Sequence, residues 1–268
     1  MGVYSHSRLS TFEQCKLKFK FKYIDKIIPE VENTIETHLG SVVHDALEWL
    51  YCIIPSGRTP TIEELISYYS GKWEECYTPN IVIVKKNCSA KDYFNKGVQF
   101  LIDYYVKNQP FLDGTLECEK QITVDLNEEH KILGFIDRLV YNKEKDQFEI
   151  HDYKTANSLP PREKIEKDRQ LALYSIAIKN LFGADKKVIL VWHYLAHNTK
   201  IVSSRTDEEL EKLKREVLEL IRVIESTKEF PPQKSILCDW CEFKKICPMF
   251  NGQKKLSNFN SDKKLDIW

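Results

Sequence analysis

The sequence predicts a mixed α/β domain that carries a large helical insertion, and three observations support this fold class. Apolar residues recur at helical spacing through most of the first 110 residues. Between residues 115 and 154, segments rich in Ile, Val, Phe and Tyr show the partial alternation of β-strands. The pattern then returns to a helix, a strand and a long charged helix, an order typical of mixed α/β domains.

The bulk composition indicates an ordinary globular protein without membrane segments. The chain has 268 residues, of which 42% are hydrophobic and 30% charged, enough for a sizeable core. No apolar run approaches the length of a membrane span. The first eight residues lack the charged-then-apolar layout of a secretory signal. We therefore expect a cytoplasmic protein that does not contact membranes.

The charges balance overall but are segregated along the chain. The 40 basic and 40 acidic residues give a net charge of zero, which argues mildly against a protein that coats nucleic acid non-specifically. A basic run comprises Lys16, Lys18, Lys20, Lys22 and Lys26, and it is followed by Glu30, Glu32 and Glu36. Such a run is compatible with phosphate contacts and equally with a solvated helix face.

Helices are predicted for the first part of the chain. Ser10-Thr11-Phe12-Glu13 reads as a capping box that opens a helix carrying Cys15. Alternation through residues 17–23 would also suit a strand, but the cap favours the helix. Further amphipathic helices are predicted at 39–53, 61–76 and 91–108, the second opened by Thr61-x-x-Glu64.

The remaining elements follow from period and turn residues. Strands are predicted at 115–126, 131–141 and 147–154, with a polar turn at 142–146 that makes the last two a hairpin. A helix at 162–180, a strand at 187–196 and a charged helix at 206–227 complete the domain. Residues 251–268 resemble a weakly ordered tail.

Two aspartates and a lysine on the predicted hairpin form a candidate metal site. Asp152 and Lys154 lie two residues apart on one strand and therefore share a face, while Asp137 lies on its partner. Carboxylates from paired strands can hold Mg²⁺ or Mn²⁺, and a nearby ammonium can position water. A solvent-facing Asp/Lys pair would look the same locally. Asp137, however, interrupts the apolar run 132–136, where an acid suggests a metal or a charged partner.

Four further side chains are candidates only in combination. His44 lies on a helix with apolar neighbours, with Glu48 one turn later. Gln170 and Tyr174 share a helix face at i, i+4 spacing. Each of these features taken alone is also compatible with a purely structural role.

Four cysteines have metal-ligand spacing. Cys238, Cys241 and Cys247 cluster near the end of the sequence, and Cys15 stands near the start. Four thiolates suit zinc or an iron–sulfur cluster, and a zinc ribbon ordinarily pairs two Cys-x-x-Cys units, of which only one exists here. The remaining cysteines are read as free thiols, since a reducing compartment disfavours disulfides: Cys52, Cys76, Cys88 and Cys118.

Four motifs, in this order, resemble the RecB-like nucleases of the PD-(D/E)xK superfamily: Gly40-x-x-x-His44, Gly134-x-x-Asp137-Arg138, Asp152-x-Lys154 and Gln170-x-x-x-Tyr174. This group includes the nuclease domains of recombination helicase-nucleases and the CRISPR-associated exonucleases. The segment from Ser7 to Cys15 is similar to the start of those domains. The resemblance implies a restriction-endonuclease-like core with a mixed central sheet flanked by helices.

The resemblance also implies roles for individual residues. Metal ligands would be His44, Asp137, Asp152 and the carbonyl of Tyr153. Catalytic residues would be Asp137, Asp152, Lys154, Gln170 and Tyr174. Glu119 matches an acidic position sometimes found in these nucleases. Cys15, Cys238, Cys241 and Cys247 would bind a 4Fe–4S cluster that ties the chain ends together, with Trp240 and Phe243 packed over it.

The implied domain is single and spans residues 1–250. Within it, 1–38 and 228–250 would be the iron–sulfur segments, 50–112 the helical insertion and 113–227 the catalytic core. Residues 251–268 would be a tail.

The implied function is Mg²⁺- or Mn²⁺-dependent hydrolysis of DNA, by an exonuclease acting on single strands or strand ends. Lys18, Lys22, Arg138 and Arg169 are predicted to contact backbone phosphates. DNA repair, recombination and CRISPR adaptation all use such domains, so a helicase or a CRISPR integrase subunit is an expected partner. The alternative is a non-catalytic iron–sulfur DNA-binding subunit.

Overall fold

The structure, a computed structural model, describes residues 2–29 and 33–251. The strands are β1 (Gly2–Tyr4), β2 (Thr115–Asp125), β3 (His130–Asn142), β4 (Gln147–Lys154), β5 (Lys187–Tyr194) and β6 (Thr199–Ser204). The helices are α1 (His6–Gln14), α2 (Lys16–Phe19), α3 (Ile35–Ile53), α4 (Ile62–Cys76), α5 (Ala90–Asn108), α6 (Arg162–Glu166), α7 (Gln170–Phe182), α8 (Asp207–Ser226) and α9 (Pro248–Asn251). The predicted tail beyond residue 251, and Glu30 and Glu32, lie outside the described residues.

The sheet is mixed and has its centre at β3 and β4. Its strand order is β1-β3-β4-β5-β6, and β2 also pairs with β3. β4 and β5 are parallel, whereas β3 and β4 form the predicted antiparallel hairpin. Because β2 occupies one edge of β3 from residue 131 to 140, β1 and β4 must share the other edge. They cover 130–132 and 138–142 of β3, which leaves residues 133–137 without a neighbouring strand on that edge.

The predicted cap at Thr61 is confirmed, and the one at Ser10 is wrong. Thr61 and Glu64 exchange both hydrogen bonds of a capping box at the start of α4. In contrast, α1 begins at His6, where the Ser5 side chain accepts the Arg8 N–H. An earlier serine therefore supplies the cap, and Cys15 lies at the junction of α1 and α2 instead of inside a helix.

Other elements differ from the prediction in their extent. The alternating residues of 17–23 are helical, with α2 continued by a π-helical turn, Lys20–Ile24. The helix predicted for 162–180 is divided into α6 and α7 by residues 167–169. Strands β1 and β6 were not predicted, since they are short edge strands with only one neighbour each to pair with.

Two hydrophobic clusters hold the elements together. One lies between the sheet and helices α1, α7 and α8, and it includes the fully buried Leu173 and Trp192. The other lies among α3, α4 and α5 and includes Leu47 and Leu101. The predicted start of the helical insertion, residue 50, falls inside α3. Within the described residues, no helix combines the length and apolarity needed to cross a bilayer.

Arg138 is buried in the core, 1% exposed, so the prediction that it contacts DNA is wrong. Its guanidinium is ion-paired with Asp113 and donates hydrogen bonds to the Tyr153 hydroxyl, at 2.9 Å, and to His151 Nδ1, at 2.8 Å. It also lies over the Tyr51 ring, 4.0 Å from the centroid. This arginine joins β3, β4 and α3, because a buried charge requires partners on every side.

Acid is expected to destabilise the fold through the imidazoles beside Arg138. Burial and then the Arg138 charge lower the pKa of His151 to about 4, and burial lowers that of His193 well below its ordinary value. Both rings are therefore neutral in the folded chain while the unfolded chain binds protons below pH ~6.5. The contribution of these two rings to the free energy of unfolding should be fully present above that pH, and it should decrease as the pH drops toward 4.

Urea denaturation between pH 7 and pH 4 measures this slope. His151→Gln should flatten it, whereas His197→Gln, at an exposed histidine, should leave it as in the wild type. Equal slopes in wild type and His151→Gln would contradict the assignment.

Candidate metal centre and cysteine pocket

The candidate site lies where β3 and β4 separate. The β3–β4 ladder stops at Arg138 and His151, so the backbone of Tyr153 has no β3 partner. The Asp137 carboxylate takes that place and accepts the Tyr153 N–H at 2.9 Å. His44 Nε2, from α3, lies 2.7 Å from the Tyr153 carbonyl. Three of the predicted metal ligands, His44, Asp137 and the Tyr153 carbonyl, therefore lie together at this point of β4.

His44 and Asp137 face each other in a way that calls for a cation. A carbonyl oxygen can only accept, so the Nε2 atom of His44 carries the proton that binds Tyr153. Nδ1 then presents a lone pair to Asp137 Oδ2, 3.4 Å away. Two acceptors at this distance are stabilised by a second proton on the ring or by a metal cation beside both atoms.

Glu119 adds a second carboxylate to the same place. It lies between Cys118 and Lys120, which pair with Arg138 and Ile136, and so stands across the strands from Asp137. Like charges in this position repel. Its φ of 44° is also costly for a residue with a side chain. Ligand atoms of His44, Glu119 and Asp137 all lie within 4.8 Å of one another.

Burial and mutual repulsion raise the proton affinity of these acids. Burial first, and then the Asp152 charge, raise the pKa of Asp137 to about 6. Burial and Asp137 likewise raise the pKa of Glu119. Asp137 is partly buried and Glu119 is exposed, so the site concentrates negative charge in a partly solvated position, an arrangement that favours either protons or a divalent cation.

Asp152 is turned toward Lys154. The Lys154 ammonium donates to Oδ1 at 2.9 Å and lies 2.8 Å from Oδ2. Among the described residues, no donor makes a well-directed hydrogen bond to the buried Oδ2. Burial works to lower the pKa of Lys154, but Asp152 and then Asp137 outweigh it and raise the value. The lysine is thus kept charged, and its ammonium lies within ion-pair distance of both carboxylate oxygens.

Helix α7 places Gln170 and Tyr174 against the uncovered stretch of β3. The Gln170 amide lies 3.5 Å from the Tyr174 hydroxyl. The Tyr174 ring packs over Gly134, where an added Cβ would lie 2.4 Å from a ring carbon. The glycine is therefore needed because the ring occupies the space of a side chain. Asp168 was not predicted as a site residue, although its charge interacts with those of Asp152 and Lys154. It lies just before α7, where its side chain accepts the Leu171 N–H. An aspartate at the start of this helix was the sequence feature that could have identified it.

All four predicted cluster cysteines line one pocket. It is formed by the α1–α2 junction and the segment from Pro232 to Phe250. Backbone N–H groups of Gln233 and Ser235 lie 3.4 Å from the sulfurs of Cys15 and Cys238. No disulfide involves any of the eight cysteines. The pocket therefore offers four half-buried sulfur donors from both ends of the chain.

Direct contacts also join the two chain ends. The Lys18 ammonium lies 2.8 Å from Glu242 Oε2. The rings of Phe21 and Phe243 are 5.6 Å apart. Phe243 is buried and lines the cysteine pocket, as expected, whereas Trp240 lines a neighbouring groove instead.

The four predicted DNA-binding residues do not lie on one common surface. Lys18 and Lys22 line the groove that also contains Lys154. Arg169 is largely covered and forms an ion pair with Glu13 at 2.6 Å. Arg138 is buried, as described above.

A profile of the PD-(D/E)XK nuclease superfamily matches residues 3–248. The chain belongs to this superfamily. Its members are nucleases that use divalent metals, and the geometry above gives the chain a matching set of carboxylate, imidazole and carbonyl donors. The mixed sheet flanked by helices is consistent with a restriction-endonuclease-like core.

Two solved structures have weak likeness to the chain. The crystal structure of SSO0001 is 16% identical, with a TM-score of 0.40, over 80% of this chain and 95% of that one. A candidate exonuclease from Eubacterium rectale is 14% identical, with a TM-score of 0.49, over 87% of this chain and 85% of that one. No significant match exists among curated proteins.

Gly134→Ala is expected to destabilise the protein by about 1–3 kcal/mol, because the new methyl group overlaps the Tyr174 ring. Gly71→Ala is the matched control, since nothing lies within 4 Å of its added Cβ in helix α4, and it should be neutral or stabilising. Urea denaturation measures both.

The double variant Gly134→Ala, Tyr174→Ala tests the cause. Removal of the ring should cancel part of the Gly134→Ala effect, giving a non-additive cycle. Strict additivity would contradict the proposed overlap.

Proposed function

We propose that this superfamily member is an exonuclease that hydrolyses DNA phosphodiester bonds at single strands or strand ends, with Mg²⁺ or Mn²⁺. The observation that carries the proposal is the convergence of His44, Asp137 and Glu119 beside the Asp152–Lys154 pair. Oxygen and imidazole donors of this kind suit Mg²⁺ and Mn²⁺ better than they suit soft metals.

The residues that would hold the cation are His44, Asp137, Asp152, Glu119 and the Tyr153 carbonyl. Two features of the chain fit it: the facing acceptors of His44 and Asp137, and the strained Glu119. A divalent cation bound there would polarise the attacked phosphate and lower the pKa of the attacking water.

Lys154 supplies the positive charge that this chain itself brings to the reaction. Asp152 keeps it protonated and fixes its direction. From this position the ammonium can hold the attacking water and offset charge that develops on the phosphate oxygens. Gln170 and Tyr174 close the site from α7 and hold β3 in place.

The cysteine pocket is proposed to hold a 4Fe–4S cluster. The four sulfurs line one pocket. Their spacing in the sequence, one distant cysteine with a single Cys-x-x-Cys unit, favours the cluster over a zinc ribbon, which ordinarily pairs two such units.

The biological pathway is part of the same proposal. DNA repair or recombination and CRISPR adaptation both require trimming of strand ends. A helicase is the proposed partner in repair or recombination, and a CRISPR integrase subunit is the proposed partner in adaptation.

Asp152→Ala should reduce Mn²⁺-dependent degradation of single-stranded DNA by at least about 100-fold, because it removes an acid and releases Lys154. Asp146→Ala, at the far end of the β3–β4 hairpin, is the control and should retain activity. Degradation that persists in Asp152→Ala would refute the site, and a wild type that binds but never cuts DNA would favour the non-catalytic subunit.

Anaerobically purified protein should be brown and contain iron and inorganic sulfide in equal amounts. Cys247→Ser should lose both together with thermal stability, because a group that binds only the folded chain stabilises it. Cys76→Ser, at an exposed cysteine outside the pocket, should lose neither. A colourless wild type with stoichiometric zinc would contradict the cluster.

A further inference from the structure

A groove of about 890 Å³ leads away from the candidate active site. Lys154 and Tyr153 lie at one end, helices α3 and α5 form one side, and the segment from Ile236 to Glu242 forms the other. Its walls therefore come from the helical cluster, the sheet and the cysteine-bearing segment. A ligand in this groove would touch all three.

The groove is predominantly basic. Of the described residues that line it, five are lysines: Lys18, Lys22, Lys85, Lys96 and Lys154. The acids among them are Glu36 and Glu242. Glu242 is shared by Lys18 and Lys22, so one carboxylate serves two ammonium groups. An anionic ligand would neutralise the positive charge that remains in the groove.

Lys85 and Lys96 lie near each other on the helical side. The Lys96 ammonium donates to the Asn157 side chain of the loop after β4. Burial first, and then Lys85, lower the pKa of Lys96. Two neighbouring ammonium groups repel, and a phosphate between them would relieve that repulsion.

The opposite wall is apolar and exposed. Ile236 is 84% exposed and Leu237 is 49% exposed, and the half-buried Trp240 lies beside them on the groove. Apolar side chains that protrude together in a monomer indicate a surface that a ligand covers. A ligand that fits a groove both basic and apolar must carry negative charge and an apolar surface. Single-stranded nucleic acid does so, because its phosphates are anionic and its unpaired bases expose their faces.

We propose that this groove binds unpaired DNA, with Lys85 and Lys96 on the phosphates and Ile236, Leu237 and Trp240 against the bases. The proposal rests on the nuclease function proposed above and assigns its preference for single strands to the cysteine-bearing segment. A duplex hides the faces of its bases, so it could use the lysines but not the apolar wall.

The decisive measurement is binding of a fluorescent oligothymidylate of about 20 nucleotides, without added divalent cation so that no strand is cut. Trp240→Ala should weaken binding about tenfold, and Trp240→Phe should restore most of it, because the aromatic face is retained. Trp49→Ala is the matched control, since Trp49 stacks on Tyr68 outside the groove. Binding of a duplex of equal length should be unchanged in all three.

A second pair of variants tests the other wall. Lys85→Ala should lower affinity for both probes and reduce the salt dependence by about 0.7 logarithmic units per decade of salt for the single strand and about 0.9 for the duplex. Lys143→Ala, in the turn between β3 and β4, should do neither. If Trp240→Ala fails to fold, Ile236→Ser replaces it, because a side chain 84% exposed contributes little to packing.

Wild-type affinity in Trp240→Ala, or an equal loss for single strand and duplex, would overturn the proposal. The two hypotheses fail separately. If the protein cuts DNA but Trp240→Ala does not weaken binding, the nuclease proposal stands and the groove proposal fails. If binding depends on Trp240 but DNA is never cut, the groove proposal stands and the nuclease proposal fails.

Discussion

The separation of β3 from β4 after the Arg138–His151 pair is the constraint on which the rest of the site depends. Beyond that pair, backbone groups that would otherwise bind a neighbouring strand require other partners. Asp137 and His44 satisfy the Tyr153 N–H and carbonyl from the side. A break in a sheet thus becomes a place where an acid, an imidazole and a carbonyl oxygen face the same space.

Arg138 holds this break open in a defined geometry. Its buried guanidinium reaches Tyr153, His151 and Asp113 and lies over Tyr51 of α3. Because an unpaired buried charge is expensive, these partners are held together as a set. The helix that carries His44 is therefore fixed to the strands that carry the acids, which couples stability to the geometry of the site.

The chain ends meet on the other side of the groove. The cysteine pocket, the Lys18–Glu242 pair and the Phe21–Phe243 contact all join the first helices to the final segment. This final segment also presents Trp240 to the groove that leads to Lys154. A group bound by these cysteines would therefore also position one wall of the proposed substrate path.

The sequence by itself predicted most of the element types and the order of the motifs, and it proposed which residues are chemically reactive. Local periodicity and capping are properties of neighbouring residues, so the hairpin strands and the Thr61 cap could be predicted closely. Only the tertiary structure decided that Arg138 points into the core, that Glu119 stands across from Asp137, and that Trp240 faces the groove. These outcomes depend on which strand edge is left uncovered and on what packs against it, and such long-range competition leaves no local signal in the chain.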